Sequence, residues 1–330
     1  MSDTDSTAKR PRITTILSKS EIQRLTQKSD LMGGWAIVST WGGIALIFAL
    51  IAWSWQQSLI VAILGTLAGV ALLGGRQLAL AILTHEACHK TLFNTQWAND
   101  VLTDWLCGRP IALDLQKYRA HHFIHHTQTG TPEDSDISLI AGLPTTRASL
   151  RRKFTRDLLG ITGAKFLLGR ILMDAGIQKW TVAADVTWLP QTHRRWYHQL
   201  GTFCKNAYPT LLTNLALYFM LAAAGFGELY WAWIAAYLIP YPLFIRIRAL
   251  AEHAVTEQTP DVFRNTRTTR AGLLARTFIA PFNVNFHIEH HAMASVPYFR
   301  LPEFHRILRV RKITPEPPSY RTVLKQVSSA

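Results

Sequence analysis

Cysteine is scarce in this 330-residue chain: only Cys88, Cys107 and Cys204 occur, with no CxxC spacing. That excludes a disulfide framework, a zinc knuckle and a cysteine-ligated iron–sulfur cluster, and it fits a reducing cytoplasmic setting. Acidic residues are also in short supply, 21 against 35 lysines and arginines, for a formal net charge of +14. Such an excess points to nucleic acid or to an anionic membrane surface. No basic stripe with interleaved aromatics and no nucleic-acid-binding fingerprint is present, and the basic residues flank uncharged apolar runs. The reading is therefore a membrane protein with no nucleic-acid partner. The first thirty residues lack the apolar core and small-residue cleavage site of a secretory signal. They read as a cytoplasmic tail, disordered to about Arg12, followed by an amphipathic lead-in helix. Ser18 and Glu21 are placed to cap that helix, with Ile22 and Leu25 on its apolar face.

What the chain does contain is long apolar runs. Residues 35–55 carry no charge and suffice to cross ~30 Å of hydrocarbon, with Trp35, Trp53 and Trp55 at the ends, where amphipathic rings prefer the interface. A second run spans about 59–78, and its helical pattern continues to about Lys90. A third covers 209–226 and a fourth 229–245; Pro240 and Pro242 predict a kink in the fourth. The connections near 56–58 and 227–228 are short and free of lysine and arginine, whereas every long polar segment is basic. The positive-inside rule places those segments, both termini included, in the cytoplasm. The expected fold is an all-α integral membrane protein with four transmembrane helices in two hairpins and a cytoplasmic helical cap. Residues 1–30 form the tail and lead-in helix, 31–312 the membrane domain and 313–330 a C-terminal tail interrupted by prolines. Residues 158–176, broken by Lys165, Arg170 and Asp174, suit an amphipathic helix at the interface, and 101–113 are similar.

Thirteen histidines occur, most in three clusters on the cytoplasmic side. These are His85-Glu-Ala-Cys-His89, His121-His122-Phe-Ile-His125-His126 and Asn285-Phe-His287-Ile-Glu-His290-His291, and His253 follows the fourth run. Helical residues three and four apart share a face, so each cluster presents two or three imidazoles for metal chelation. Zinc takes three or four protein ligands; eight clustered histidines, or nine with His253, suit two metal ions. Imidazole serves several first-row metals, so the ligands alone do not name the element. Ligating imidazoles need outer partners for their second nitrogen, and Glu86, Glu252, Glu289, Asp134 and Asp136 are the candidates in sequence. His193, His198 and His305 lack a histidine at helical spacing and read as surface or interfacial.

The pattern H-x3-H, H-x2-H-H, H-x2-H-H between paired apolar runs resembles the membrane fatty acid desaturase family. The acidic stretch from Thr127 to Asp136 is similar to the continuation of that family's second box. Asn285 through His291 to Pro297 and Pro302 is similar to its third, and Arg246-x-Arg248 through Glu252-His253 to an additional ligand segment. The resemblance covers about residues 30–310. It implies two non-haem irons held by His85, His89, His122, His125, His126, His253, His287, His290 and His291, with Asn285 and His121 among the outer partners. The doubled His121-His122 leaves open which of the two is the ligand. Gly130 departs from the asparagine often found there. The resemblance further implies O2 as co-substrate, a lipid or acyl substrate, and cis desaturation. No cytochrome b5-like segment is fused to the chain, so electrons are expected from a separate ferredoxin, rubredoxin or cytochrome b5 type carrier.

Three other readings compete. A hydroxylase or ketolase of an alkyl chain, lipid or carotenoid would use the same scaffold, and His85–Lys90 is also similar to alkane hydroxylases. His85, Glu86 and His89 alone match the HExxH signature of a membrane zinc protease, which leaves the other two clusters unexplained. A non-catalytic metal- or lipid-binding protein would hold metal and turn nothing over.

Overall fold

The computed structural model describes residues 12–330. Among these residues the chain is helical, with no strand and only two isolated bridges, Gln178 to Trp188 and Arg270 to Ser319. Three segments are long and apolar enough to cross a membrane: Lys19–Trp55, Leu59–Cys88 and Gly227–His253. The protein is accordingly an integral membrane protein. Large apolar side chains such as Leu31, Trp35, Leu59, Leu67 and Trp231 stand exposed along these segments, a surface that needs lipid to cover it.

The N-terminal helix α1 (Lys19–Leu25) is capped as its sequence predicts. Ser18 Oγ accepts from the Glu21 N–H, and the Glu21 carboxylate accepts from the Ser18 N–H. Leu17 and Leu25 bury against Met293, Val296 and Phe304, so the lead-in helix packs beside the third histidine cluster. The predicted disorder before Arg12 lies outside the described residues.

Helices α2 (Asp30–Trp55) and α3 (Leu59–Cys88) form the first hairpin. The 30 residues of α3 extend about 45 Å, well beyond a hydrocarbon layer of ~30 Å. Its last turns therefore project past the membrane-crossing part and carry His85 with them.

The cap follows. Wide π-type turns at Ala98–Leu102 and Asp104–Gly108 stand where an interfacial helix was expected. They lead into α4 (Leu115–Gln128), capped by Asp114, and then α5 (Arg147–Leu158) and α6 (Ile161–Asp174). Gly160, at φ +74°, separates α5 from α6. Ile161, Phe166, Leu168 and Ile171 of α6 are exposed, as an interfacial helix requires.

The third expected span lies inside α7 (Trp196–Ala223), which begins thirteen residues before the apolar run. Its first half carries His198, Gln199, Lys205 and Asn206, and Asn214 interrupts its apolar half; α7 is not among the three segments apolar enough to cross. The fourth breaks as its prolines predict: α8 (Tyr230–Leu238) ends one residue before α9 (Pro240–His253) begins. Proline has no N–H for the helical ladder and its ring crowds the preceding turn. Gly74 of α3 sits against this kink, where a Cβ would lie 2.7 Å from Pro240 Cγ. Among the short helices that follow are α10 (His287–Ala292), α11 (Leu301–Val310) and α12 (Tyr320–Val327). No helix crosses the proline-rich stretch before α12, which buries Val323 and Val327 against Leu150 and Leu250.

Candidate metal centre

Four helices deliver imidazoles to one place. α3 supplies His85, and His89 is its C-cap. α4 supplies the second cluster, His253 closes α9, and α10 supplies the third cluster. Nine histidines gather into two groups whose ligand atoms lie within 4.8 Å of one another in each: His85, His89, His122, His126 and His290, then His125, His253, His287 and His291.

Each cluster divides its members between the groups. At about 100° per residue, positions i and i+4 fall about 40° apart, whereas adjacent residues diverge by about 100°. His122 and His126 therefore face the first group while His125 faces the second. On α10, His287 and His291 face the second group and His290 the first. The rings of His126 and His291 stack at 4.2 Å between centroids, 12° from parallel, and join the two groups.

The nitrogens converge tightly. Nε2 atoms lie 3.0 Å apart in His89/His122, His122/His126 and His126/His290, and 2.9 Å apart in His253/His287. Two ligands at right angles on a metal with ~2.1 Å bonds stand about 3.0 Å apart; tetrahedral ligands stand about 3.4 Å apart. The spacing thus fits ions with near-right-angle coordination better than tetrahedral zinc. Both nitrogens of His85 and Nε2 of His291 are buried without a hydrogen-bond partner; a bound metal would engage one nitrogen of each ring.

Burial keeps these rings neutral. It pushes His122, His126, His287, His290 and His291 well below the ordinary histidine range, reinforced by neighbouring imidazoles. His89 is pushed down to about 3, chiefly by burial and then by the Arg119 charge. Neutral imidazole is the form that ligates. His125 is the exception: burial lowers it, but Asp134, Asp136 and Glu252 outweigh that and raise it overall.

The outer partners are specific. Asp134 Oδ1 lies 2.8 Å from His125 Nδ1, which directs His125 Nε2 to the metal side. Glu252 stands 3.5 Å from His287 Nδ1, the Asn265 carbonyl 3.3 Å from His253 Nδ1, and Thr129 Oγ1 3.4 Å from His291 Nδ1. His121 is outside both groups, with Nε2 2.8 Å from Asp136 Oδ1. Of the doubled pair, His122 is the one that joins the other imidazoles. Glu86 Oε1 stands 3.7 Å from His85 Nδ1 without a hydrogen bond to it, and the hydrogen bonds of Glu86 and Glu289 run elsewhere. The Glu86 carboxylate accepts from the Tyr298 N–H at 3.0 Å and from the Thr91 hydroxyl, which ties the first cluster to the loop after the third. Glu289 takes the Thr268 hydroxyl and lies 2.6 Å from His305 Nδ1. His305 is therefore a partner of this network rather than a surface residue. Asn285 donates to the Thr269 carbonyl at 2.8 Å and braces the turn into α10. Gly130 also finds its reason here: its φ is +80°, and a Cβ would meet the Thr259 carbonyl at 2.2 Å and Asn265 Nδ2 at 2.8 Å. An asparagine has no room at that position. Thr129, Thr268, Asn265 and His305 escape a sequence reading because each is a single polar residue without a periodic partner.

A cavity of about 210 Å³ opens onto this centre, with His122, His125, His253 and His287 in its wall. Tyr118, Tyr237 and Tyr241 line it beside apolar residues that include Leu78, Phe166 and Ile245.

Residues 58–323 match the fatty acid desaturase family. The chain is similar to dihydrorhizobitoxine desaturase of Bradyrhizobium elkanii, with 24% identity over 262 residues that cover 77% of this chain and 69% of that protein. Histidine clusters, membrane segments and a match over most of the length agree: the chain belongs to the fatty acid desaturase family.

Proposed function

We propose that the protein is an O2-dependent desaturase that introduces a cis double bond into an alkyl or acyl chain at a di-iron centre. His85, His89, His122, His126 and His290 hold one iron; His125, His253, His287 and His291 hold the other. The observation that carries this reading is the pair of convergent groups, five and four buried or half-buried imidazoles, with Nε2 atoms about 3.0 Å apart. Iron bound there would supply O2 activation and removal of two hydrogens from adjacent carbons. The balance is one saturated C–C unit, O2, two electrons and two protons giving an alkene and two waters. The electrons come from a separate carrier of ferredoxin, rubredoxin or cytochrome b5 type.

The chain's own residues bind, orient and exclude. Asp134 fixes the His125 ring and the Asn265 carbonyl the His253 ring, while Glu252, paired with Arg248, stands 3.5 Å from His287 Nδ1 without a hydrogen bond to it. The apolar wall of the cavity seats the hydrocarbon and keeps bulk water from the reacting carbons. In this reading α7 is a fourth span beside the three apolar segments, and the centre lies just outside the cell inner membrane on the cytoplasmic side, which the basic polar segments support. The relative's name supports desaturation as the reaction type. A zinc protease fits poorly, since it would use His85, Glu86 and His89 alone and leave the other seven gathered imidazoles without a role.

The test is product analysis in cells expressing the wild type or His290→Ala. A product about two mass units lighter than its precursor, absent from the variant and dependent on O2, is expected. A product about sixteen units heavier would make the enzyme a hydroxylase on the same scaffold.

A further inference from the structure

Arg170 projects from α6 into the wall of the cavity that reaches the histidines. Among the described residues it forms no hydrogen bond and no ion pair at contact distance. Burial raises the carboxyl of Asp174, one turn further on, above the ordinary range, although it feels the Arg170 charge and, after it, that of Lys117, whose Nζ lies 3.8 Å away. The guanidinium lies over the Trp180 ring, 5.1 Å from its centroid. Such stacking fixes the plane of the group and leaves its N–H edges free for an oxyanion. Trp180 Nε1 is itself buried without an acceptor. The other cation in the wall, Arg248, is ion-paired with Glu252 at 2.7 Å. The wall's carboxylates are engaged as well: Asp134 with His125, Asp136 with His121, and Glu252 with Arg248. One cation without a hydrogen bond or contact-distance ion pair therefore shares the wall with the metal-facing imidazoles. The volume of about 210 Å³ falls below the roughly 300–1,000 Å³ usual for drug-sized ligands.

Resting on the desaturase reading and narrowing it, we propose that Arg170 anchors the anionic group of a compact substrate inside this cavity. The molecule oxidised is then a free carboxylate or phosphate whose reacting carbons lie a few bonds from its charge. It is not a neutral or esterified long chain oxidised far from its head group.

The test uses the full-length, iron-loaded protein in discs of neutral phosphatidylcholine, with binding followed by titration calorimetry and thermal shift. The probes are octanoate, octyl phosphate, methyl octanoate and methyl palmitate. At least one of the two anions is expected to bind tenfold or more tighter than either ester, and comparison of octanoate with octyl phosphate names the oxyanion. Arg170→Met should abolish the preference, a loss of about ten- to hundredfold for a charged hydrogen-bonded contact, and Arg170→Lys should keep part of it. Methyl palmitate binding as tightly as the anions, or a preference untouched by Arg170→Met, would overturn the inference. So would an Arg170 effect that appears only when phosphatidylglycerol is added, which would make the residue a lipid contact. If Arg170→Met fails to fold, the anion-against-ester comparison in the wild type still decides. Two irons per chain without anion preference would sink this inference alone, whereas a chain that takes up no iron would sink the desaturase reading.

Discussion

Asp134→Asn isolates one iron site from the other. Asp134 Oδ1 lies 2.8 Å from His125 Nδ1 and accepts the Asp136 N–H at 2.9 Å, and the residue is buried. Asparagine keeps an oxygen in this position, so the ring stays oriented while the charge is lost. A charge-assisted hydrogen bond contributes about 1.5–3 kcal/mol and a neutral one about 0.5–1.5. The difference of about 1–1.5 kcal/mol predicts a metal affinity about tenfold weaker at the second group, at the lower end of the 10–100-fold typical of such partners. The first group contains no ring held by Asp134 and should keep its affinity. The assay is stepwise chelator titration with iron counted on the desalted protein. The variant should lose one iron per chain at about a tenth of the chelator activity the wild type needs, and the second iron at the wild-type point. Unchanged loss of both irons, or earlier loss of the iron bound by His85, would refute the reasoning.

His122→Ala should strip iron from the first group, whereas His121→Ala should retain both irons, since His121 Nε2 is committed to Asp136; iron counts on both variants decide. Gly74→Leu should lower the melting temperature in detergent through an overpacking penalty of about 1–3 kcal/mol, because a Cβ there already meets Pro240 at 2.7 Å; an unchanged melting temperature would contradict that packing. The metal-free protein should lose stability as pH falls from about 6.5 toward 3. Burial depresses His122, His126, His290 and, to about 3, His89, so the unfolded chain takes up protons that the folded chain refuses. A melting temperature that is flat or rises on acidification from pH 7 to 5 would show that the sign is wrong.

The sequence made the nine imidazoles legible because metal chelation from helices imposes a spacing, and His85/His89, His122/His126 and His287/His291 obey it. It did not reveal that His125 and His290 cross to the opposite group from their near neighbours. That division depends on how four helices are placed around one point, which no single helical period encodes. The kink at Pro240 was legible because proline acts locally. The start of α7 was not: an apolar run marks the part of a helix that suits lipid, and the helix continues through His198 and Lys205 into polar surroundings. Glu86 and Glu289 were assigned as partners by adjacency, yet they reach Tyr298 and His305 across the fold. α12 carries a readable signal, with Ser319 as cap and Val323 and Val327 one turn apart, obscured by the prolines before it.

The central claim, two metal ions held by nine histidines, is tested most directly by elemental analysis of the purified full-length protein with Mössbauer spectroscopy of a 57Fe-grown sample. The account predicts about two irons per chain in a nitrogen-rich environment, both lost in a His125→Ala, His290→Ala double variant that still elutes as the folded protein. A single zinc per chain, or iron retained in that variant, would contradict it.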